Sequence, residues 1–470
     1  MSESTHSNTR FAKRRKLLTV REDAMQVAQG IKEKLDPQHV DELRALLDEQ
    51  HPADLADAML FLSPGEERIV FNLLDNIEAA EVLDEVDAQT EANLVGATSP
   101  DKLADILAEL PPDEGADVVG ALPQAEAERV LDLTAEQIAG QIRTLLAYPA
   151  DTAGGIMSLG FVEVPESATQ AQALQRFREK QDAEHIFYVY VVDAQRSLKG
   201  IIDLLHLLRA APDTPVRDLM TEDIISVHPD CDQEQVASVF ARYDLTALPV
   251  VSDEPSHKLL GVITADDIID VMQEEHAEDV AHMAGSDAQE LEHKSPAQVA
   301  KLRMPWIMAT MFIELLAGLV IHFFDATMTK FILLASFMPI ISAISGNTGL
   351  QSAAIIIRGL STGHVQMAHW KHAVVRQLET TLILGGACAA VLGTIGAIWD
   401  KHWVFGLVVF LGMFASVNIA GVVGTIVPLI SKRAGFDPAL TAGPFETAFQ
   451  DVVGISIFLS LAATLLNWLR

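Results

Sequence analysis

The chain has 470 residues and a formal net charge of −32 at pH 7. The excess is confined to one region, because residues 1–300 contain 23 Lys/Arg and 58 Asp/Glu, whereas residues 301–470 contain 10 and 7. Such an acidic region repels nucleic acid and anionic lipid, so it is either ordinary solubility charge or a surface that attracts cations. The two cysteines, Cys231 and Cys388, are too few for a disulfide framework.

Residues 1–24 predict a polar, basic tail. They begin MSESTHSNTRFAKRRK and contain no apolar signal-peptide core. The basic cluster at 10–16 is therefore interpreted as a solvated segment that stays in the cytosol.

Residues 25–150 predict an all-α domain of short helices. The segment PADLADAMLFLSP at 52–64 resembles PDKLADILAELPP at 100–112. Apolar residues recur three and four positions apart in both, and proline is expected to close each helix. Repeated helix pairs of this kind predict a superhelical stack, and no catalytic motif occurs in it.

Residues 151–272 predict two similar α/β units, at 151–215 and 216–272. Short β-rich runs alternate with helical segments, at 187–192, 198–202, 247–251 and 259–263. Gly200 and Gly261 occupy corresponding positions in the two copies. This repeat resembles a pair of CBS domains, which are modules that sense small ligands.

A nucleotide site is a further expectation from that resemblance. The second copy reads GVITADD at 261–267, and a Thr and an Asp spaced like Thr264 and Asp267 contact phosphate and ribose in CBS domains. The first copy reads GIIDLLH and lacks the pair. Either one ATP-type site is intact or the fold is purely structural.

Residues 273–300 predict an acidic helix that connects the CBS pair to the membrane. Acids recur at helical spacing through DDIIDVMQEEHAEDVAHMAG at 266–285. Like charges at these spacings weaken a helix unless something offsets them. The face is either solvated or a cation-binding surface.

Residues 301–470 predict a domain of five membrane-spanning helices. Each apolar stretch is long enough for hydrocarbon, which takes about 20 residues; the stretches are 304–324, 331–357, 373–398, 403–431 and 443–468. Basic residues concentrate before the first, between the second and third, and after the fourth. The positive-inside rule then places residues 1–300 in the cytoplasm and Arg470 outside a bacterial inner membrane.

Two spans carry residues that an ordinary membrane anchor does not need. The second contains SGNTGLQ at 345–351, where Gly346, Asn347 and Gly349 are expected to break the helix beside a water-filled path, or else to allow close helix packing. The fifth places Asp451 well inside an apolar helix. A carboxylate at that depth is a functional candidate by default.

These two segments together, with the domain order, resemble the MgtE family of magnesium channels. The resemblance covers nearly the whole chain and implies a homodimer whose pore runs between the fifth spans. It implies that Asp451 binds magnesium in the pore. Coordination chemistry adds Asn347 and the backbone carbonyls at Gly346 and Gly349 as the expected supporting oxygen ligands. Hydrated magnesium suits such a site, because it prefers hard oxygen ligands and loses its waters reluctantly.

The same resemblance implies a gate operated by cytosolic magnesium. The acids that would share regulatory magnesium are Asp113, Asp117, Asp232, Glu234, Asp244, Asp267, Asp270, Glu275, Glu278 and Asp279. Carboxylates about 4 Å apart repel by about 4 kcal/mol at an effective dielectric near 20. Bridging magnesium would draw the domains together and close the pore, and its loss would release them.

Two intramembrane acids depart from the family pattern. Glu314 lies in the first span and Glu446 lies five residues before Asp451, about 140° round the helix. Glu446 is therefore expected to face the second or first span, with Glu314 as its candidate partner. The alternatives are that these two acids line the pore or lie at an interface.

Alternatives to a magnesium channel are a channel for manganese or cobalt, a nucleotide-sensing receptor, and a CBS-containing chloride channel. Five spans are too few for the chloride channel, and a receptor has no need of the SGNTG segment. Enzyme activity is not expected, because neither a nucleophile–base pair nor a phosphate loop appears.

Overall fold

The computed structural model describes residues 20–180, 187–253, 255–286, 296–365 and 367–465. Contacts divide the chain into two units, residues 1–236 with 244–267, and residues 237–243 with 268–470. The predicted tail up to residue 19, the middle of the predicted connecting segment (287–295) and the chain after residue 465 lie outside the described residues. Residues 20–24 of the predicted tail already belong to the first helix.

Short helices build residues 20–145, as the repeat predicted. Their bounds are α1 Val20–Lys34, α2 Val40–Leu47, α3 Pro52–Met59, α4 Pro64–Leu73, α5 Asn76–Glu85, α6 Ala88–Val95, α7 Pro100–Leu107, α8 Pro112–Gly120, α9 Gln124–Leu133 and α10 Glu136–Leu145. Helices two apart in the chain pack together: α1 on α3, α3 on α5, α5 on α7, α7 on α9, α4 on α6 and α8 on α10. This two-layered stacking confirms the superhelix.

The prolines of this domain open helices, so the prediction that they close them was wrong. Pro52, Pro64, Pro100 and Pro112 each lie in the first turn of a helix. The reason is that a first-turn residue needs no N–H partner and the ring already holds a helical φ. A capping box between Ser63 and Glu66 shows the same start signal.

The CBS pair confirms the predicted strands and adds one. The elements are β1 Val162–Pro165, α11 Gln170–Glu179, β2 Tyr188–Val192, β3 Leu198–Asp203, α12 Leu204–Arg209, α13 Gln233–Tyr243, β4 Ala247–Val251 and β5 Leu259–Thr264. Strand β1 pairs parallel with β2, β2 pairs antiparallel with β3, and β4 pairs antiparallel with β5. Sequence analysis missed β1, although its alternation V-E-V is typical of a strand.

The repeated glycines mark equivalent close contacts in the two copies. A Cβ on Gly200 would lie 2.5 Å from the sulfur of Met220, and one on Gly261 would lie 2.6 Å from that of Met157. Each methionine belongs to the other copy, since Met220 lies near the start of the second and Met157 near the start of the first. The glycines therefore recur because each sheet accepts a methionine from the other copy.

The second unit holds the helices that reach the membrane. Helix α14 (Ala265–Met283) begins inside the predicted second CBS copy, earlier than the predicted connecting segment. Among the described residues, five helices are long and apolar enough to cross a membrane. They are the first span Pro296–Phe323, the second Leu334–Ser361, the third Trp370–Asp400, the fourth Trp403–Ala434 and the fifth Pro444–Leu465. Short helices Asp325–Lys330 and Pro438–Ala442 precede the second and fifth spans.

The second span is continuous, so the predicted helix break was wrong. It remains α-helical through Pro339, Gly346, Asn347 and Gly349. Hydroxyls along the helix bond to carbonyls of their own preceding turn, as Thr348 does to Ile344 at 2.8 Å. The glycines serve close packing, which was the alternative interpretation of this segment.

Candidate cation sites

Asp451 sits where the fifth span meets the first and second. Its side chain is half-buried, and the Ser342 hydroxyl donates a hydrogen bond to Asp451 Oδ1. Glu314 of the first span is also hydrogen-bonded to Asp451. The carboxylate predicted for the pore is thus surrounded by a hydroxyl and a second carboxyl group, which are oxygen donors of the kind that magnesium prefers.

Glu446 faces the second span, as expected, but its expected partner was wrong. The side chain is 1% exposed and accepts a hydrogen bond from Gln450 Nε2 at 3.2 Å. A Cβ on Gly349 would lie 2.9 Å from the Glu446 Cδ atom, so the glycine makes room for the carboxyl group. Within the described residues, Glu446 Oε2 is buried with no hydrogen-bond partner. Glu314 contacts Asp451 because it lies on the span that packs beside the fifth, a placement that sequence spacing does not give.

The residues predicted to support the pore lie on different faces of the second span. Asn347 is exposed, whereas Gly346 and Gly349 are buried. A Cβ on Gly346 would lie 3.1 Å from the Thr447 methyl, and one on Gly424 would run into the backbone of Gly349. The second, fourth and fifth spans therefore converge at these glycines, and of the three residues predicted to support the pore only Asn347 is exposed.

A group of carboxylates converges at helix α8 in the first unit; we call it the acid cluster. Helix α8 supplies three of its members, α5 supplies one, and the first turn of α14 supplies one. Its residues are Asp84, Asp113, Glu114, Asp117 and Asp267. Three of these were predicted as regulatory ligands; Asp84 and Glu114 were missed, although Glu114 directly follows Asp113.

Burial and the charges of neighbouring acids favour the protonated forms of Asp113 and Glu114. Burial, aided by Asp84 and Asp113, raises the pKa of Glu114 to about 9. Burial and the charge of Asp267 raise the pKa of Asp113 to about 6, although a hydrogen bond from Ser158 opposes this. Within the described residues, Asp113 Oδ1 is buried without a hydrogen-bond partner. At neutral pH, Glu114 is therefore mainly protonated.

A related carboxyl group lies beside the cluster. Burial, with the charges of Asp117 and Asp87, raises the pKa of Glu91 to about 7. Sequence analysis did not single out Glu91, because no repeat or spacing distinguishes it from the solvated acids nearby.

The predicted ligands of the second CBS copy are not brought together within one chain. Asp232 accepts a hydrogen bond from the backbone N–H of Glu234 at 2.9 Å, at the start of α13. Asp244 follows the other end of that helix with a positive φ of 51°. The eleven residues of α13 separate the two ends by about 16 Å.

Helix α14 carries the remaining predicted ligands and a contact that was not predicted. Asp270, Glu275, Glu278 and Asp279 lie along it. His282 Nδ1 lies 2.8 Å from Asp437 Oδ2, and His282 Nε2 lies 3.5 Å from Glu278 Oε1. This joins α14 to the loop between the fourth and fifth spans. The two residues are 155 positions apart, so spacing offers no signal for the contact.

The candidate nucleotide residues bond to each other. The Thr264 hydroxyl donates to Asp267 Oδ2 at 2.6 Å, and the Thr264 backbone N–H donates to the same oxygen at 3.2 Å. Asp267 belongs to the acid cluster as well, so nucleotide and cation would share a residue.

In the described part of the chain, no group of three or more His, Cys, Asp or Glu side chains is arranged to hold a metal ion. The predicted regulatory ligands of the first unit are close enough to repel one another, yet the single chain does not preform a site from them. A bound cation would therefore have to draw them together.

Sequence models of three known domains match the chain. Residues 338–461 match the divalent cation transporter model MgtE, and residues 50–151 match the MgtE intracellular N domain. Residues 153–213 and 216–274 each match the CBS domain.

Full-length relatives are similar along most of the chain. The magnesium transporter MgtE of Thermus thermophilus is 33% identical over 458 residues, which cover 94% of this chain and 99% of that protein. The magnesium transporter MgtE of Bacillus subtilis is 34% identical over 328 residues, covering 69% of this chain and 72% of that protein. A crystal structure of the cytosolic domain of the Mg²⁺ channel MgtE in complex with ATP is 36% identical, with a TM-score of 0.49, and covers 52% of this chain and 99% of that one.

Proposed function

The chain belongs to the MgtE family of divalent cation transporters, which are not enzymes, and we propose that it carries magnesium into the cell and is closed by cytosolic magnesium. The proposed site of passage is Asp451. The proposed sensor is the acidic cytosolic region.

The surroundings of Asp451 are the observation that carries the proposal. A half-buried carboxylate inside a membrane-spanning helix is costly unless it meets water or a cation. The Ser342 hydroxyl donates to it, which leaves Asp451 able to accept the water shell of a hydrated ion. Asn347, exposed on the second span, is the other predicted pore residue that such an ion could reach.

We infer that the working form is a homodimer in the inner membrane, with the pore between the two fifth spans. Basic residues at Lys301, Arg303, Lys432 and Arg433 support a cytoplasmic location for residues 1–300 and an outside location for the C-terminus. One protomer supplies one Asp451. Two symmetry-related carboxylates would give the field that holds a divalent ion.

The gate is proposed to use the acid cluster and the acids of α14. Burial, with a smaller contribution from neighbouring acids, raises the pKa values of Asp113 and Glu114, so a negative charge is disfavoured at both carboxyl groups. Magnesium bound there would offset the cost of that charge and favour the closed state, because it would bind that state more tightly. The contact between His282 of α14 and Asp437 would transmit the effect of magnesium binding to the membrane-spanning helices.

ATP is proposed as a modulator at Thr264 and Asp267. Binding would replace the hydrogen bond between these two side chains. Because Asp267 also belongs to the acid cluster, ATP would alter the affinity of that cluster for magnesium.

Ion flux tests the proposed function directly. The purified chain is reconstituted in liposomes, and uptake of magnesium, manganese, cobalt and calcium is measured with and without Asp451→Ala. The proposal expects magnesium uptake that the alanine variant abolishes while it still purifies as the same oligomer. Equal uptake by both proteins would refute the pore assignment, and preference for another divalent ion would refute magnesium as the substrate.

A further inference from the structure

Glu314 contacts the carboxylate to which the proposed function assigns the ion. It lies on the first span, 137 residues before Asp451 in the chain, and is hydrogen-bonded to it. Ser342 of the second span donates to Asp451 Oδ1. Three different spans therefore direct oxygen atoms to one point.

The exposure of Glu314 indicates what lies on its open side. The side chain is exposed, and only 6% of the most apolar window of the first span is buried, against 33–50% in the other spans. An ionisable group that faces lipid at this depth is strongly unfavourable. The open side of Glu314 must therefore meet water, an ion or another protein surface.

Two carboxyl groups in contact need a proton or a cation between them. Oxygens of Glu314 and Asp451 come within hydrogen-bond distance only when a proton or a cation lies between them, because two bare carboxylates repel. A hard divalent cation, directly bound or with its waters, satisfies the same oxygens and adds the Ser342 hydroxyl.

We propose that Glu314 is a second carboxylate ligand of the divalent cation that Asp451 binds. Each protomer then presents two carboxylates and one hydroxyl to the permeating ion. This assignment rests on the proposed function, because it deepens the site at Asp451. Glu314 is a specificity-determining residue there.

The second carboxylate changes how the ion is held. Two carboxylates produce a stronger negative field than one and therefore bind a divalent ion more tightly. They also compensate better for the water molecules that a partly dehydrated ion has lost. Removing the charge should weaken binding of all divalent ions, and most of all that of ions which lose water readily, such as manganese and calcium.

The experiment compares Glu314→Gln with Glu379→Gln in the full-length chain. Both replace an exposed acid of a membrane-spanning helix by its neutral isostere, but Glu379 lies on the third span. Uptake into liposomes is measured against the concentrations of magnesium, manganese and calcium. Thermal unfolding of the same proteins in detergent, with each cation titrated, supplies a readout that needs no flux.

Glu314→Gln should raise the concentration for half-maximal magnesium uptake by about tenfold or more, and that for manganese by a larger factor. The same variant should need more cation for the same thermal shift, whereas Glu379→Gln should match the wild type in both measurements. Identical behaviour of the two glutamine variants in uptake and in thermal shift would overturn the assignment.

Failure of the proposed function has a different signature. If the wild type takes up no magnesium, the proposed function is refuted, and if Asp451→Ala takes up as much magnesium as the wild type, the pore assignment is refuted. The thermal shifts then still decide whether Glu314 binds a cation, because they compare the two glutamine variants directly.

Discussion

Glu114→Gln should make the cytosolic region less sensitive to alkaline pH. Burial and neighbouring acids raise the pKa of Glu114 from 4.5 to about 9. Since the folded chain holds this proton more tightly than the unfolded chain, the stability it supplies is fully present below pH 4.5 and falls as the pH rises towards 9. Glutamine keeps the shape of the protonated side chain and removes the ionisation.

The size of the effect follows from that window. For a fully buried group, the free energy of unfolding changes by about 1.4 kcal/mol for each pH unit between the unfolded and the folded pKa. Between about pH 6 and about pH 8 this amounts to about 3 kcal/mol. Glu114 is only half-buried, so solvent screening reduces the expected change to about 1–2 kcal/mol. That corresponds to roughly 2–8 °C in the midpoint of the cytosolic transition.

Thermal unfolding of the full-length protein in detergent measures this difference. The stability of Glu114→Gln relative to the wild type should increase steadily with pH, whereas Glu109→Gln, an exposed acid after α7, should show no such trend. Magnesium at alkaline pH should reduce the stability difference between Glu114→Gln and the wild type. The reason is that a cation held by Asp113 and Asp117 would offset the repulsion between the ionised Glu114 and these neighbouring acids. A difference that stays constant or shrinks with rising pH would refute the reasoning.

Four further variants, at three positions, test the membrane domain. Asp451→Glu should keep measurable divalent flux but change the ranking of magnesium, manganese and calcium in liposome uptake, because the longer arm shifts the oxygens; an unchanged ranking would contradict a direct role. Glu446→Gln should preserve selectivity and most of the flux, whereas Glu446→Leu should lower the unfolding midpoint by several degrees, because the carboxyl group is 1% exposed and bonded to Gln450; altered selectivity in the glutamine variant would place Glu446 at the ion. Gly424→Ala should destabilise the domain by about 2 kcal/mol or more in the same assay, since its Cβ would run into the backbone of Gly349; a wild-type midpoint would show that the two spans can separate at no cost.

Elements with a strong local period were predictable from the sequence. The apolar spacing of the N domain, the β-rich runs of the CBS pair and the five apolar stretches all correspond to observed elements. The proline error shows the limit of local signals, because a proline between two helices fits the end of one and the start of the next equally well.

The details of the site depended on contacts that no local pattern records. A run of glycines such as Gly346 and Gly349 is compatible with a broken helix or with close packing, and only the neighbouring Thr447 and Glu446 decide between them. The partner of Glu314 likewise depends on which span packs beside the fifth. Spacing along one helix correctly placed Glu446 off the face of Asp451, since that relation is local.

The buried acids show the same limit. Asp113 and Asp117 were predicted through the family resemblance, but Glu114 and Glu91 become distinctive only when folding buries them beside other acids. A sequence reports the charge of a side chain, whereas burial and the distance to other charges set its pKa.

Electrical recording across a planar bilayer, with magnesium controlled separately on each side, tests the central claim most directly. The protein is reconstituted in a planar bilayer, magnesium on the extracellular side is held constant, and magnesium on the side of residues 1–300 is raised stepwise to millimolar levels. The account predicts a magnesium current that Asp451→Ala removes and that falls as magnesium rises on the cytosolic side, with the fall abolished when residues 1–280 are deleted. A current that does not respond to cytosolic magnesium, after correction for the smaller gradient, would contradict it.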